Sequence, residues 1–127
     1  MTVRPIEIEK PYLLFLGAAE SNLGAKTAAG IAHWRHADCA GQLRLPGAGA
    51  DIGLPDMTLA EARAAGARTL VLGVAPVGGR LPEAWVALCV EALEAGLGVA
   101  AGLHQRLADI PAIAEAAARS GRPVTDV

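Results

Sequence analysis

The stretch Thr69-Leu70-Val71-Leu72-Gly73-Val74 decides the fold of this 127-residue chain. Every position after Thr69 is apolar or glycine, which is typical of a parallel strand covered on both faces. Similar short runs occur at residues 12–16, 41–45, 98–101 and 123–127. The runs start roughly 30 residues apart, which is the length of a strand plus a crossover helix. The pattern therefore predicts a series of parallel strands, each followed by a helix.

Helix-starting signals fill the intervals between these runs. Thr58 and Glu61 have the spacing of a capping box, in which each side chain bonds the backbone N–H of the other residue. Pro82 suits the first turn of a helix, and Asp109 is placed to cap the helix that follows it. The first helix is predicted over residues 26–34.

Glycines mark the ends of the later helices, because glycine adopts the left-handed conformation of a helix C-terminus at low cost. One follows each of three predicted helices: Gly66, Gly96 and Gly121. Alternating strands and helices predict a single Rossmann-like α/β domain over residues 1–127, a three-layer sandwich with a parallel sheet of about five strands. Folds of this kind bind ligands beyond the carboxyl ends of the strands.

Composition excludes several classes of partner. The chain has 11 basic and 13 acidic residues, so it has no basic surplus for the phosphate backbone of nucleic acid. No apolar run reaches the roughly 18 residues of a membrane helix, and the N-terminus lacks a signal-peptide pattern. Cys39 and Cys89 are too few for a disulfide framework and are expected to be small buried side chains. We therefore expect a soluble, cytoplasmic protein.

The loop after the first predicted strand leads into a candidate anion site. Lys26 and Thr27 lie where the first helix begins, and backbone donors at a helix N-terminus attract anions. The segment is not a P-loop, because Ala25 separates Gly24 from Lys26. An ordinary turn that carries a surface lysine is the alternative interpretation.

Two further loops carry candidate ligand-binding groups. Gly78 and Gly79 allow a ligand to approach the backbone closely, and the Arg80 guanidinium suits a phosphate or carboxylate. His104 and Arg106 follow the fourth predicted strand, which makes His104 a candidate general base and Arg106 a candidate substrate contact. The alternatives are a turn in which the glycines only reverse the chain, and a histidine with a structural role.

The loop over residues 46–57 is longer than the two to six residues usual for such a connection. Its carboxylates are Asp51 and Asp56, and Asp56 is a candidate acid/base group or a residue that steadies the turn before the next helix. His33 and His36 are one helical turn apart but have no accompanying ligand pattern. The sequence therefore predicts no metal site.

Five motifs at the first helix and in the strand-end loops carry a resemblance to a known family. In order they are Ala25-Lys26-Thr27-Ala28-Ala29-Gly30-Ile31, Gly41-Gln42-Leu43-Arg44-Leu45-Pro46-Gly47, Gly53-Leu54-Pro55-Asp56-Met57-Thr58, Gly73-Val74-Ala75-Pro76-Val77-Gly78-Gly79 and Gly102-Leu103-His104. Together they resemble the N-terminal domain of the D-glutamate N-acetyltransferase family, over residues 11–127. The resemblance implies a Rossmann-like domain followed by a C-terminal P-loop domain, and transfer of acetyl from acetyl-CoA to the amine of a D-amino acid.

The same resemblance predicts a partner domain, and it shows one position at which this sequence differs from the family pattern. The chain would act with its own C-terminal P-loop domain, which would hold most of the acetyl-CoA phosphate site, and would be inactive without it. Ala18 stands where the family pattern leads us to expect an acidic residue. Two other hypotheses stay open: a nucleotide- or CoA-binding module with unrelated chemistry, and a domain that assembles a homo-oligomer through its small-residue helices.

Overall fold

The computed structural model describes residues 8–19, 25–103 and 105–126. Within these residues, five strands form one sheet in which every neighbouring pair is parallel. The strands are β1 (Tyr12–Gly17), β2 (Cys39–Arg44), β3 (Thr69–Leu72), β4 (Gly98–Ala101) and β5 (Val124–Asp126), and their order across the sheet is β2-β1-β3-β4-β5. The predicted parallel sheet is confirmed.

Helices connect the strands as right-handed crossovers require. They are α1 (Lys26–Trp34), α2 (Leu59–Ala64), α3 (Glu83–Glu94) and α4 (Pro111–Ser120). Across the sheet, β2 lies on one side of β1, and β3, β4 and β5 follow in order on the other side. The chain therefore crosses the sheet in one direction from β1 to β2 and in the opposite direction from β2 to β5. Because crossovers between parallel strands are right-handed, α1 lies on one face of the sheet and α2, α3 and α4 lie on the other. This arrangement confirms the Rossmann-like three-layer prediction. In the described part of the chain, no helix is long and apolar enough to cross a membrane.

Local signals set most helix ends. The Thr58 side chain accepts from the Glu61 N–H and the Glu61 side chain accepts from the Thr58 N–H, so the predicted capping box is confirmed. The glycines predicted to end helices have positive φ: 94° at Gly66, 95° at Gly96 and 70° at Gly121. Left-handed backbone of this kind favours glycine and stops each helix ahead of the next strand.

The prediction that Asp109 caps the last helix was wrong. Helix α4 begins at Pro111, with Ile110 in the cap position, and Asp109 lies in a preceding 3-10 turn, Leu107–Asp109. A proline at the first helical position starts the helix through its fixed φ. The turn is held instead by Asp126 at the end of β5, whose carboxylate oxygens accept from the N–H groups of Leu107 (2.7 Å) and Ala108 (3.1 Å).

Small side chains let the helices lie close to the sheet. Alanines with almost no exposed surface face the core from all four helices: Ala28, Ala32, Ala62, Ala92 and Ala116. The main aromatic contact is between Phe15 on β1 and Trp85 on α3, whose rings lie edge to face with centroids 5.0 Å apart. Such a pair contributes about 0.5–1.5 kcal/mol beyond its buried area.

The two cysteines differ in burial. Cys89 is fully buried on α3, and burial raises the pKa of its thiol to about 12. Cys39 is only partly buried, contrary to expectation, because it begins the edge strand β2. Its Sγ donates to the Arg35 carbonyl oxygen at 3.4 Å. Neither environment lowers a thiol pKa, so neither cysteine is set up as a nucleophile.

Helix α1 rests directly on the end of β3. The Ala28 N–H donates to the Gly73 carbonyl oxygen at 3.1 Å. A Cβ at position 73 would overlap the Ala28 side chain and lie 2.8 Å from its Cα. Gly73 is therefore required for space, because any side chain there would push α1 away from β3.

We expect Gly73→Ala to lower the free energy of unfolding by roughly 1–3 kcal/mol, the usual cost of overpacking a close contact. Urea unfolding of the purified chain measures this change. The matched control is Gly30→Ala in α1, where a Cβ meets nothing within 4 Å. The control should be neutral or more stable, because alanine favours a helix interior over glycine by about 0.5–1 kcal/mol. Equal stability of Gly73→Ala and the wild type would show that α1 has room to move.

Candidate functional site

The strand order identifies the edge at which a ligand is expected. β1 and β3 are neighbours, and the crossovers that leave them run to opposite sides of the sheet. In doubly wound folds, ligands bind at such a switch point, beyond the carboxyl ends of the strands. The loops that border it here follow β1 and β3.

On one side of the switch point, backbone hydrogen bonds join the loops after β1 and β2. Leu45 N–H donates to the Gly17 carbonyl oxygen at 2.9 Å. The N–H groups of Gly49 and Ala50 both donate to the Ala19 carbonyl oxygen, at 3.0 and 2.9 Å. These bonds hold the two loops together as one unit.

On the other side, side chains join the loops after β3 and β4 and the end of β5. The Leu81 N–H donates to Gln105 Oε1 at 2.7 Å. The Asp126 carboxylate accepts hydrogen bonds from the backbone N–H groups of Leu107 and Ala108, in the turn that follows Arg106. The loops at the carboxyl edge thus form two groups, which meet at the β1/β3 switch point.

The predicted anion-binding residues fall in both groups. Lys26 and Thr27 are exposed in the first turn of α1, where no side chain caps the helix and no acidic residue lies in the first turn. Arg80 and Arg106 are also exposed, and the bond between their neighbours Leu81 and Gln105 brings the two loops together. The structure therefore places exposed cations after β1, β3 and β4. Their role as ligand contacts stays a prediction.

Gly78 and Gly79, in the loop after β3, have the left-handed backbone conformation that favours glycine. Gly78 has φ 82° and Gly79 has φ 78°, within a 3-10 turn, Val77–Gly79. A Cβ at either position would meet no atom within 4 Å. Glycine is therefore favoured here by backbone conformation, and the space above the turn is open to a ligand. The predicted general base His104 lies outside the described residues.

Asp56 lies elsewhere, on the outer side of β2. Its carboxylate accepts two hydrogen bonds from Arg44, Nε to Oδ1 and Nη2 to Oδ2, both at 2.8 Å. These bonds lower the pKa of Asp56, and the same contact raises the pKa of Arg44. A carboxylate with a lowered pKa is a weaker base, so the contacts favour the alternative in which Asp56 steadies its loop. Its catalytic role stays a prediction.

Gln42 organises this loop, although sequence reasoning did not single it out. Only 1% of its surface is exposed. Its Nε2 donates to Asp51 Oδ1 (3.0 Å) and Asp56 Oδ1 (3.3 Å), and its Oε1 accepts from the Ile52 N–H (3.0 Å). The backbone of Gln42 also pairs with the segment around Asp56. The signal that could have found it is a single amide between Gly41 and Leu43 in a predicted buried strand.

Asp51 is the second carboxylate that this network holds. Hydrogen bonds from the Gly53 N–H and from Gln42 lower its pKa, and Arg44 Nη1 lies 3.8 Å from its Oδ2. The carboxylates of Asp51 and Asp56 and the guanidinium of Arg44 together have a net charge of −1 near neutral pH. The Gln42 amide and the Arg44 guanidinium, each of whose three nitrogens donates a hydrogen bond, fix the loop as a rigid wall beside β2.

A cleft of about 520 Å³ opens between this wall and α1. Its lining combines small and apolar side chains with two imidazoles and a carboxylate: Ala29, Ala32, His33, His36, Asp51 and Ile52. None of the predicted anion-binding residues lines it. Across the described ranges, no group of three or more histidine, cysteine or acidic side chains is arranged to hold a metal ion.

Comparisons with known proteins agree with the fold. Residues 37–127 match the family described as a domain of unknown function (DUF1611_N), Rossmann-like domain. In a crystal structure of a DUF1611 family protein from Anabaena variabilis, the equivalent region superposes with a TM-score of 0.76 at 23% identity. That match covers 94% of this chain and 37% of the other, and at this identity it shows the fold alone.

Two curated relatives have the same name. The chain is 52% identical over 120 residues to a D-glutamate N-acetyltransferase of Tritonibacter scottomollicae, covering 94% of this chain and 36% of that protein. It is 34% identical over 122 residues to a D-glutamate N-acetyltransferase of a Pseudoalteromonas species, covering 96% and 37%. The chain thus spans little more than a third of the length of the curated relatives it matches.

We expect Gln42→Leu to lower the free energy of unfolding by about 1–3 kcal/mol, because the Ile52 N–H and the two carboxylates lose a buried partner. Urea unfolding measures the loss, with the exposed Glu91→Gln on α3 as the control. The protection of the Ile52 amide from hydrogen exchange should fall at the same time. A variant with wild-type stability and protection would contradict the role of Gln42.

The lowered pKa of Asp56 makes its ion pair with Arg44 pH-dependent. Because the folded-state pKa lies below the ordinary value of 3.8, the pair stabilises the fold above that value and the effect is lost as pH falls through the lowered pKa. Asp56→Asn should therefore be less stable than the wild type at neutral pH. The difference should shrink as urea unfolding is repeated at decreasing pH below about 4. A difference that stays constant over that range would exclude the ion pair as its source.

Proposed function

This chain belongs to the family of Rossmann-like domains described as DUF1611_N, and from this membership we propose that it is the N-terminal part of an acetyl-CoA-dependent D-glutamate N-acetyltransferase. The observation that carries the proposal is the 52% identity to a protein of that name along nearly the whole chain. The relatives are almost three times as long as the matched region. We therefore propose that the activity belongs to a longer protein and that these 127 residues alone are inactive.

The proposed reaction makes two demands on the protein. The ammonium of D-glutamate must lose a proton before its nitrogen can attack the thioester carbonyl carbon, and a general base removes it. A C–N bond then forms as the C–S bond breaks, and the sulfur leaves as a thiolate. Donors must also stabilise the negative charge that develops on the carbonyl oxygen.

Of the two candidate bases, we propose His104, because an imidazole exchanges protons near neutral pH. In the sequence it comes three residues after the last residue of β4, Ala101. Asp56 is the weaker candidate, since the Arg44 guanidinium binds both of its oxygens and lowers its pKa. Its position beyond β2 also separates it from the β1/β3 switch point.

The exposed cations suit the substrate, which has two carboxylates. We propose that Lys26 and Thr27 bind one anionic group from the α1 side of the switch point. Arg80, with the open backbone of Gly78 and Gly79, and Arg106 would bind another from the β3 side. Charge-assisted bonds of this kind are among the stronger hydrogen bonds in proteins.

This donor set fits a carboxylate or a phosphate equally well. The thioester of CoA would supply the acetyl group, and nothing in the described residues is specific for its nucleotide. Because the first loop is not a P-loop, we propose that the main CoA phosphate site lies in the part of the longer protein beyond these residues. The residues described here would then bind and orient the acceptor amino acid.

Steady-state acetylation by the full-length enzyme tests these roles. We expect Lys26→Ala and Arg80→Ala each to raise the KM for D-glutamate about 10- to 100-fold, the loss expected for one charge-assisted hydrogen bond. Arg68→Ala is the matched control, because Arg68 is exposed but precedes β3 at the opposite edge of the sheet. An unchanged KM in both variants would contradict the assignment of these cations. Release of free CoA thiol by the 127-residue chain alone would contradict its proposed dependence on the longer protein.

A further inference from the structure

Gln105 joins two loops that carry predicted ligand contacts. Its Oε1 accepts a hydrogen bond from the Leu81 N–H at 2.7 Å, although the two residues are 24 positions apart in the sequence. Leu81 directly follows Arg80 in the loop after β3. Gln105 directly precedes Arg106 in the loop after β4. One hydrogen bond therefore fixes the backbone next to both arginines.

The backbone of Arg106 is held on its other side as well. The Leu107 N–H donates to Asp126 Oδ1 at 2.7 Å, and the Leu107 side chain is fully buried. Asp126 lies at the end of β5, where it pairs with Ala101 of β4. Arg106 thus lies between two residues that hydrogen bonds join to neighbouring segments, while its own side chain is exposed.

Arg80 has a similar position in the loop after β3. The N–H of the preceding residue, Gly79, donates to the Pro76 carbonyl oxygen at 3.2 Å. The following residue, Leu81, donates to Gln105 and packs against the core. The backbone is therefore held on both sides of Arg80, and the Arg80 side chain is exposed.

The guanidinium groups of Arg80 and Arg106 keep their charge available for a ligand. Within the described part of the chain, no carboxylate forms an ion pair with either of them. Arg44 differs, because its loop is held through the carboxylate of Asp56, which binds the guanidinium. The acceptor that Gln105 supplies is an uncharged amide oxygen. It fixes the two loops without adding a negative charge that would compete with an anionic ligand.

We infer that Gln105 is a positioning residue, which sets the spacing of Arg80 and Arg106 so that both guanidinium groups bind one anionic group of the acceptor amino acid. The two arginines are substrate contacts in the function proposed above, on which this inference rests. Ordering a long side chain or a loop on binding weakens affinity, and a backbone that is already fixed reduces this loss. Without the hydrogen bond to Leu81, the two loops would be free to move apart, and substrate binding would weaken.

Steady-state acetylation by the full-length enzyme tests the inference with Gln105→Met, which keeps the length of the side chain and removes the acceptor. We expect the KM for D-glutamate to rise about 3- to 10-fold, the loss expected for one neutral hydrogen bond. The kcat should stay nearly unchanged, because the arginines bind the substrate equally in the ground state and the transition state. A purely structural effect would reduce the amount of active enzyme, which lowers the apparent kcat and leaves KM unchanged.

Thr69→Val is the matched control. The Thr69 Oγ1 donates to the Glu9 carbonyl oxygen at 2.6 Å and joins segments 60 residues apart. Thr69 begins β3, so this hydrogen bond lies at the opposite edge of the sheet from the two arginines. The control should keep the wild-type KM even where it lowers stability, because KM does not depend on the concentration of active enzyme.

Two further measurements distinguish a failure of this inference from a failure of the proposed function. Hydrogen exchange of the Leu81 amide in the full-length enzyme should become faster in Gln105→Met, because the amide loses its acceptor, and this measurement requires no activity. In an enzyme that already carries Arg80→Ala and Arg106→Ala, Gln105→Met should raise KM little further. Residues that act through one another have effects that do not add.

Three outcomes would overturn the inference and leave the substrate role of the arginines intact. The first is a wild-type KM in Gln105→Met while Arg80→Ala or Arg106→Ala raises KM. The second is unchanged exchange of the Leu81 amide in Gln105→Met, and the third is full additivity in the combined variant. An unchanged KM in both arginine variants would instead contradict the proposed substrate contacts, and the inference would fail with them.

Discussion

The contact between α1 and the end of β3 sets the geometry on which the ligand-binding edge depends. Ala28 lies against Gly73 with no side chain between them, and a backbone hydrogen bond joins the two residues. The first turn of α1 is thereby held at the boundary between β1 and β3. Lys26 and Thr27 precede this contact by one or two residues, and the Gly78–Arg80 turn follows it along the chain. A bulkier residue at position 73 would change the distance between the two groups of predicted ligand contacts.

Small side chains also form close contacts elsewhere in the core. The chain is 53% hydrophobic but only 3% aromatic, and its buried helix faces consist largely of alanine. Short side chains let the helices approach the sheet closely, and close packing supplies dispersion contacts that large side chains would otherwise provide. The Phe15–Trp85 pair is the main exception, and it lies where Gly17 leaves room for the indole.

Much of the fold was predictable because its signals are local. Apolar runs located all five strands of the described sheet, and the capping box and three glycines located helix ends. The failure at Asp109 has a tertiary cause, since the carboxylate that holds that turn comes from Asp126 on another strand. The Gln42 network was missed for the same reason: its partners are nine to fourteen residues away and meet only when the loop folds back along β2.

The sequence by itself determined the order of elements, the parallel sheet and the family to which the chain belongs, because periodicity, glycine positions and motifs are properties of short segments. The sequence also identified Lys26, Arg80 and Arg106 as cationic residues in the loops that follow β1, β3 and β4. Only the tertiary structure decided how the loops group around the switch point, that Arg44 binds Asp56, and that a cleft opens between α1 and residues 51–52. These features depend on distances between segments far apart in the chain, and those distances follow from packing that no local pattern encodes.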